Sequence, residues 1–138
     1  LFSNMIAKVT LAADQYFLSV NALNRLNQDN IDLEKVYKRS TFYGKKSPYM
    51  YEHTIPASIV RSKLLTVPPI EEEVINVLNA AGHVVMILRE EDNLLRANGL
   101  TRKMPQGWEW GDDPFARYHS SGIDLSKTRI MMKGIICR

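Results

Sequence analysis

The chain has 138 residues, 45% of them hydrophobic, and a net charge of +3. That length and apolar content fit one ordinary globular domain spanning residues 1–138, able to bury a core without disulfides or a structural metal, and they exclude a disordered tail. The only cysteine, Cys137, excludes an intrachain disulfide and a cysteine-based zinc site, and points to a reducing, cytoplasmic compartment.

No stretch is apolar for long enough to span a bilayer, and no apolar run follows a basic start, so neither a membrane partner nor a signal peptide is expected. Leu1 in place of Met suggests a chain trimmed or cut from something longer. Residues 2–26 read as one long amphipathic helix, because Phe2, Ile6, Val9, Ala13, Phe17, Val20 and Leu23 recur at spacings of three and four. Asp32 can cap a second short helix through Val36 and Tyr37. Arg39–Ser47 reads as a loop or ragged hairpin, broken by Gly44 and closed by Pro48. Tyr49-Met50-Tyr51 has strand composition. Pro56 opens a helix whose apolar face is Ile59, Val60, Leu64 and Leu65.

After Pro68-Pro69, a third helix carries Glu71-Glu72-Glu73 in its first turn, where acids favour the helix dipole, and stops at Gly82. Val84–Leu88 is a continuous apolar run, the pattern of a strand covered on both faces. Arg89–Arg96 reads as a helix ended by Asn98-Gly99. The segment from Thr101 to Pro114 is irregular yet holds Trp108 and Trp110. Phe115–His119 reads as a helical turn and Thr128–Ile136 as a last strand. The expected class is therefore α+β: a long N-terminal helix with several short helices around a small sheet that includes residues 84–88.

Charge is uneven. From Lys35 to Lys63 the bases are Lys35, Lys38, Arg39, Lys45, Lys46, Arg61 and Lys63, and the only acid is Glu52. Clustered positive charge suits a polyanion, although a solvated basic face has the same composition. The stretch from Leu100 to Tyr118 interleaves Arg102, Lys103 and Arg117 with the two tryptophans. That mixture suits stacking on bases and pairing with phosphates, and equally suits a protein-binding loop.

The most chemistry-like segment is Glu52-His53-Thr54-Ile55-Pro56. A histidine can take a proton from water near neutral pH, and a carboxylate beside it can bind a metal or orient the ring. Neighbours on a strand point to opposite faces, so the two act together only if the strand ends there. The segment resembles the Asp/Glu-His-x-x-Pro signature of HNH (His-Me finger, ββα-metal) nucleases. The resemblance covers about five residues and implies His53 as general base, Glu52 as metal ligand or orienting group, and a divalent metal on the scissile phosphate of DNA or RNA. It departs from the family in the helix that follows Pro56, where a β-hairpin is usual. Asp92 is the favoured further ligand. Asn93, Asn76 or Asn79 with His83, and His119 are the other options. Oxygen ligands suit magnesium or manganese, while a histidine in the site would admit nickel or zinc.

These expectations describe a small metal-dependent nuclease with catalytic His53 and Glu52, metal ligands Glu52 and Asp92, and nucleic-acid contacts at Lys45, Lys46, Arg61, Arg102, Lys103 and Arg117. A toxin effector of this kind would have a protein inhibitor as partner. The other reading is a non-enzymatic nucleic-acid- or protein-binding module using the basic 35–63 surface and the Trp108/Trp110 loop. A metal-free ribonuclease is a third.

Overall fold

A computed structural model of the chain describes residues 13–133. The architecture is α+β, with a five-stranded mixed sheet and short helices on both of its faces. In chain order the elements are β1 (Gln15–Ser19), α1 (Val20–Gln28), β2 (Val36–Tyr37), a 3-10 turn (Arg39–Phe42), β3 (Tyr49–His53), α2 (Ala57–Leu64), α3 (Glu71–Ala81), β4 (Val84–Leu88), α4 (Arg89–Ala97), α5 (Ala116–Ser120) and β5 (Leu125–Met132). The strands lie in the order β2-β5-β1-β4-β3. β1 runs parallel to β4 and antiparallel to β5, and β3 is antiparallel to β4 at one edge.

The long N-terminal helix is not formed: the first helix among the described residues is short, beginning at Val20 and ending at Gln28. The part of the expected helix before Ala13 lies outside the described residues. The helical spacing from Ala13 onward conceals a change of period. Tyr16 and Leu18 are fully buried on one face of β1, while Phe17 packs on the other. An apolar run placed mid-sheet is covered on both sides, and this outweighs a helical stripe that covers one. Ser19 ends the strand in extended conformation, and its Oγ accepts from the Ala22 amide, capping α1.

Asp32 likewise caps a turn instead of a helix. Its Oδ1 accepts from the Glu34 amide, and Val36–Tyr37 go on to pair in parallel with Met131–Met132 of β5. The last strand begins three residues before its expected start, at Leu125, and the expected residues beyond Lys133 lie outside those described.

Val84–Leu88 forms β4, a strand with neighbours on both sides, and Val85 and Ile87 are fully buried. One face of the sheet meets α1 through Tyr16, Leu18, Ala22, Leu26 and Met86. The other face meets α4 and α5 through Val85, Ile87, Leu95 and Tyr118. A third apolar cluster joins α2 and α3 through Val60, Leu64, Val77 and Leu78, with Trp108 and Trp110 packed against it.

The parallel strands β1 and β4 each pass directly into a helix at their C-terminal ends. There the Ser19 hydroxyl donates to the buried Glu91 carboxylate at 2.5 Å. Glu91 also accepts from the Leu88 amide at 3.0 Å, which caps α4. One acid thus joins both helix starts and fixes where α4 leaves the sheet. The next residue, Asp92, is thereby aimed at β3.

Candidate functional site

β3 ends at His53. The Thr54 amide makes one last bond to the His83 carbonyl at 3.2 Å before Pro56 turns the chain into α2. Along the strand, Glu52 shares a face with Met50, toward α4 and α5, whereas His53 shares the opposite face with Tyr49 and Tyr51. Because the strand stops at that point, both residues border one cavity of about 350 Å³, with Pro56, Ala57, Ser58, Thr101, Arg102 and Arg117.

On the Glu52 face, the Glu52 carboxyl hydrogen-bonds to that of Asp92 from the first turn of α4. Burial and this bond push the Glu52 pKa up to about 8, against the opposing pull of Arg117. Asp92 is buried, accepts from Arg96 at 3.2 Å and reaches the cavity only through Glu52. Two oxygen-ligand side chains therefore converge. Among the described residues no three His, Cys, Asp or Glu side chains are grouped to hold an ion.

On the other face, burial followed by the Arg117 and Arg39 charges lowers the His53 pKa, so the ring is neutral at neutral pH. Its Nδ1 is buried without a hydrogen-bond partner among the described residues. The Arg39 guanidinium lies over the rings of Tyr43 and Tyr51, at 5.0 and 5.4 Å from their centroids.

Arg117, expected among the nucleic-acid contacts, is 1% exposed. Its guanidinium donates to the carbonyls of His53, Thr54, Leu100 and Thr101, and it lies 3.9 Å from Glu52. With its donors so engaged, it shapes the wall of the cavity and positions the end of β3. The other expected contacts are dispersed. Lys45 and Lys46 are exposed in the turn before β3, Arg61 is exposed on α2, and Arg102 and Lys103 are exposed in the loop before the tryptophans. Lys45 borders a separate cavity with Arg39, Tyr43 and Arg89.

The optional ligands are placed elsewhere. His83 packs on Phe17 and Phe115, His119 pairs with Asp113 at 3.3 Å, and Asn76 and Asn79 are exposed on α3. No known family model, curated protein or solved structure matches this chain. Among the described residues no helix is long and apolar enough to cross a membrane.

Lys63 was expected in the basic 35–63 surface and not among the individual nucleic-acid contacts. With Ile59, Ser62 and Thr66 it lines one wall of a larger cavity opposite the tryptophan loop. Those four positions follow the i, i+3, i+4, i+7 spacing of a single helix face, so the signal was present.

The two shifted groups give opposite pH dependences, which separate above pH 6.5. Glu52 is raised, so its contribution to stability is complete below its ordinary value of 4.5 and is lost as pH rises through about 8. His53 is lowered from 6.5, so its contribution is complete above 6.5 and is lost only as pH falls. Between pH 6.5 and 8, in chelator, urea unfolding should therefore show stability falling by on the order of 1–2 kcal/mol. Glu52→Gln should flatten that window. A wild-type curve already flat there would place Glu52 outside the buried carboxyl pair.

Proposed function

We propose that this domain is a small metal-dependent nuclease of the HNH-like kind, acting on phosphodiester bonds. The observation that carries the reading is the strand end at His53. It lets a neutral imidazole and a carboxyl border one cavity beside Arg102, while α4 brings a second carboxyl to the first. The β3–β4 antiparallel pair, followed directly by α4, gives a strand–strand–helix unit that supports the resemblance to ββα-metal nucleases. The helices α2 and α3 occupy the connection between its strands.

The donor set fits magnesium or manganese. Such ions are commonly held by one or two carboxylates, with water and substrate phosphate completing the shell. Nickel or zinc would want a nitrogen- or sulfur-rich set, which Glu52 and Asp92 do not supply. When bound, the ion would stabilise charge developing on the phosphoryl oxygens. The chain's own residues do the rest. His53, neutral and partly open to the cavity, accepts a proton from the attacking water on an imidazole nitrogen. Arg102 pairs with a phosphate at the cavity mouth, and Arg117 fixes the main chain of His53 and Thr54.

The test is the metal dependence of cleavage in Glu52→Ala and Asp92→Ala. Each should raise the magnesium concentration needed for half-maximal cleavage by about tenfold or more, with activity partly restored at high metal. A loss of equal size at every metal concentration would remove both residues from the ligand set.

A further inference from the structure

A second cavity, of about 540 Å³, lies outside the site just described. One wall is α2, with Ile59, Ser62 and Lys63, continued by Thr66 in the turn after it. The other is the loop that carries Arg102, Lys103, Trp108 and Trp110. Its size falls in the range of pockets that hold small organic groups. Three cations line it and no acid does.

The tryptophans are held in place before any ligand arrives. Trp108 donates its indole N–H to the Asp113 carbonyl at 2.9 Å. The two rings meet edge to face at 6.2 Å and pack on the apolar cluster between α2 and α3. Lys63 Nζ lies 5.8 Å from the centroid of Trp110. An anchored aromatic floor with a cationic rim matches a planar aromatic group that carries negative charge. A neutral apolar ligand would leave three cations without a counter-charge, and an acidic peptide would leave the indole faces without a partner.

Arg102 borders both this cavity and the one at His53. A chain with a phosphate at Arg102 therefore reaches the tryptophans on one side and the histidine on the other.

We infer that the Trp108/Trp110 cavity seats an unpaired base of a single-stranded nucleic acid, next to a phosphate held by Arg102, Lys103 and Lys63. The inference rests on the nuclease reading for its direction along the strand and names the substrate class of that site. A base within a duplex is stacked on its neighbours and paired, so it cannot lie on an indole floor without first being flipped out.

The chain has only two tryptophans, so its emission reports on this cavity alone. The full chain is titrated in chelator with a twelve-residue oligo-dT or oligo-U, with the matching duplex, and with poly-glutamate. The single strands should quench tryptophan emission saturably, and the duplex and poly-glutamate should do so at least about tenfold more weakly. Lys103→Glu changes an exposed side chain and should weaken the single-strand titration by about tenfold. Trp110→Leu should weaken it similarly as read by anisotropy of a labelled strand, with folding checked by circular dichroism. Single strands that bind by anisotropy while emission is unchanged overturn the inference, as does equal quenching by duplex or poly-glutamate. Cleavage is scored separately. Quenching without cleavage under any metal would retain the base seat and remove the nuclease reading. Cleavage with silent tryptophans would do the reverse.

Discussion

Arg117→Ala should remove much of the molecule's margin of stability, by about 3–5 kcal/mol, because several main-chain acceptors lose their donor at about 1–3 kcal/mol for each buried one. The residue is 1% exposed, and four main-chain carbonyls from two separate segments accept from it, that of His53 accepting also from the Tyr118 hydroxyl at 3.4 Å. Without it the buried Thr54 and the half-buried His53 and Leu100 lose a donor to their carbonyls, and the Glu52 carboxyl loses its neighbour 3.9 Å away. For a domain of this size the loss corresponds to roughly 10–20 °C in melting temperature. Arg117→Lys should recover only a minor part, because one ammonium cannot reproduce a fork aimed at His53–Thr54 on one side and Leu100–Thr101 on the other. Thermal melting of the two variants beside wild type checks this. A loss below about 1 kcal/mol for Arg117→Ala would mean that those carbonyls find other donors.

His53→Ala should reduce cleavage by about 100- to 10,000-fold, the usual contribution of a general base. Single-strand affinity should change little, since a base acts in the transition state while cations and stacking supply ground-state binding. The melting temperature should also change little. His53 Nδ1 is buried without a partner among the described residues, so truncation removes an unsatisfied polar atom and orphans none. The main-chain carbonyl of His53, which Arg117 holds, is retained in the variant. A histidine kept for stability would behave differently, lowering the melting temperature while cleavage was unaffected.

The elements from β3 to α4 were legible in the sequence because their signals are local. Pro56 starts α2, three acids start α3, Gly82 ends it, and an uninterrupted apolar run makes β4. β1 and β2 were not legible. Their reason for existing is pairing with β5, from Gln15 and Val36 to Met131, about a hundred residues along the chain. Helical spacing across Ala13–Leu23 hid the change at Ser19, where a strand on one side abuts a helix on the other. Glu52-His53 and Asp92 were readable as chemical types. That α4 would deliver Asp92 to Glu52 depends on the link between Ser19 and Glu91, which no local pattern encodes. Arg117 looked like one more surface cation, because sequence composition does not distinguish an arginine that meets phosphates from one that meets carbonyls.

The most direct measurement is cleavage of labelled single-stranded DNA and RNA by the purified chain, in magnesium, in manganese and in excess chelator, with His53→Ala prepared in parallel. Wild type should cut in one or both metals and not in chelator, with a loss of at least about 100-fold in the folded variant. Binding of either strand without cutting in any metal, or cutting that His53→Ala performs as well as wild type, would contradict it.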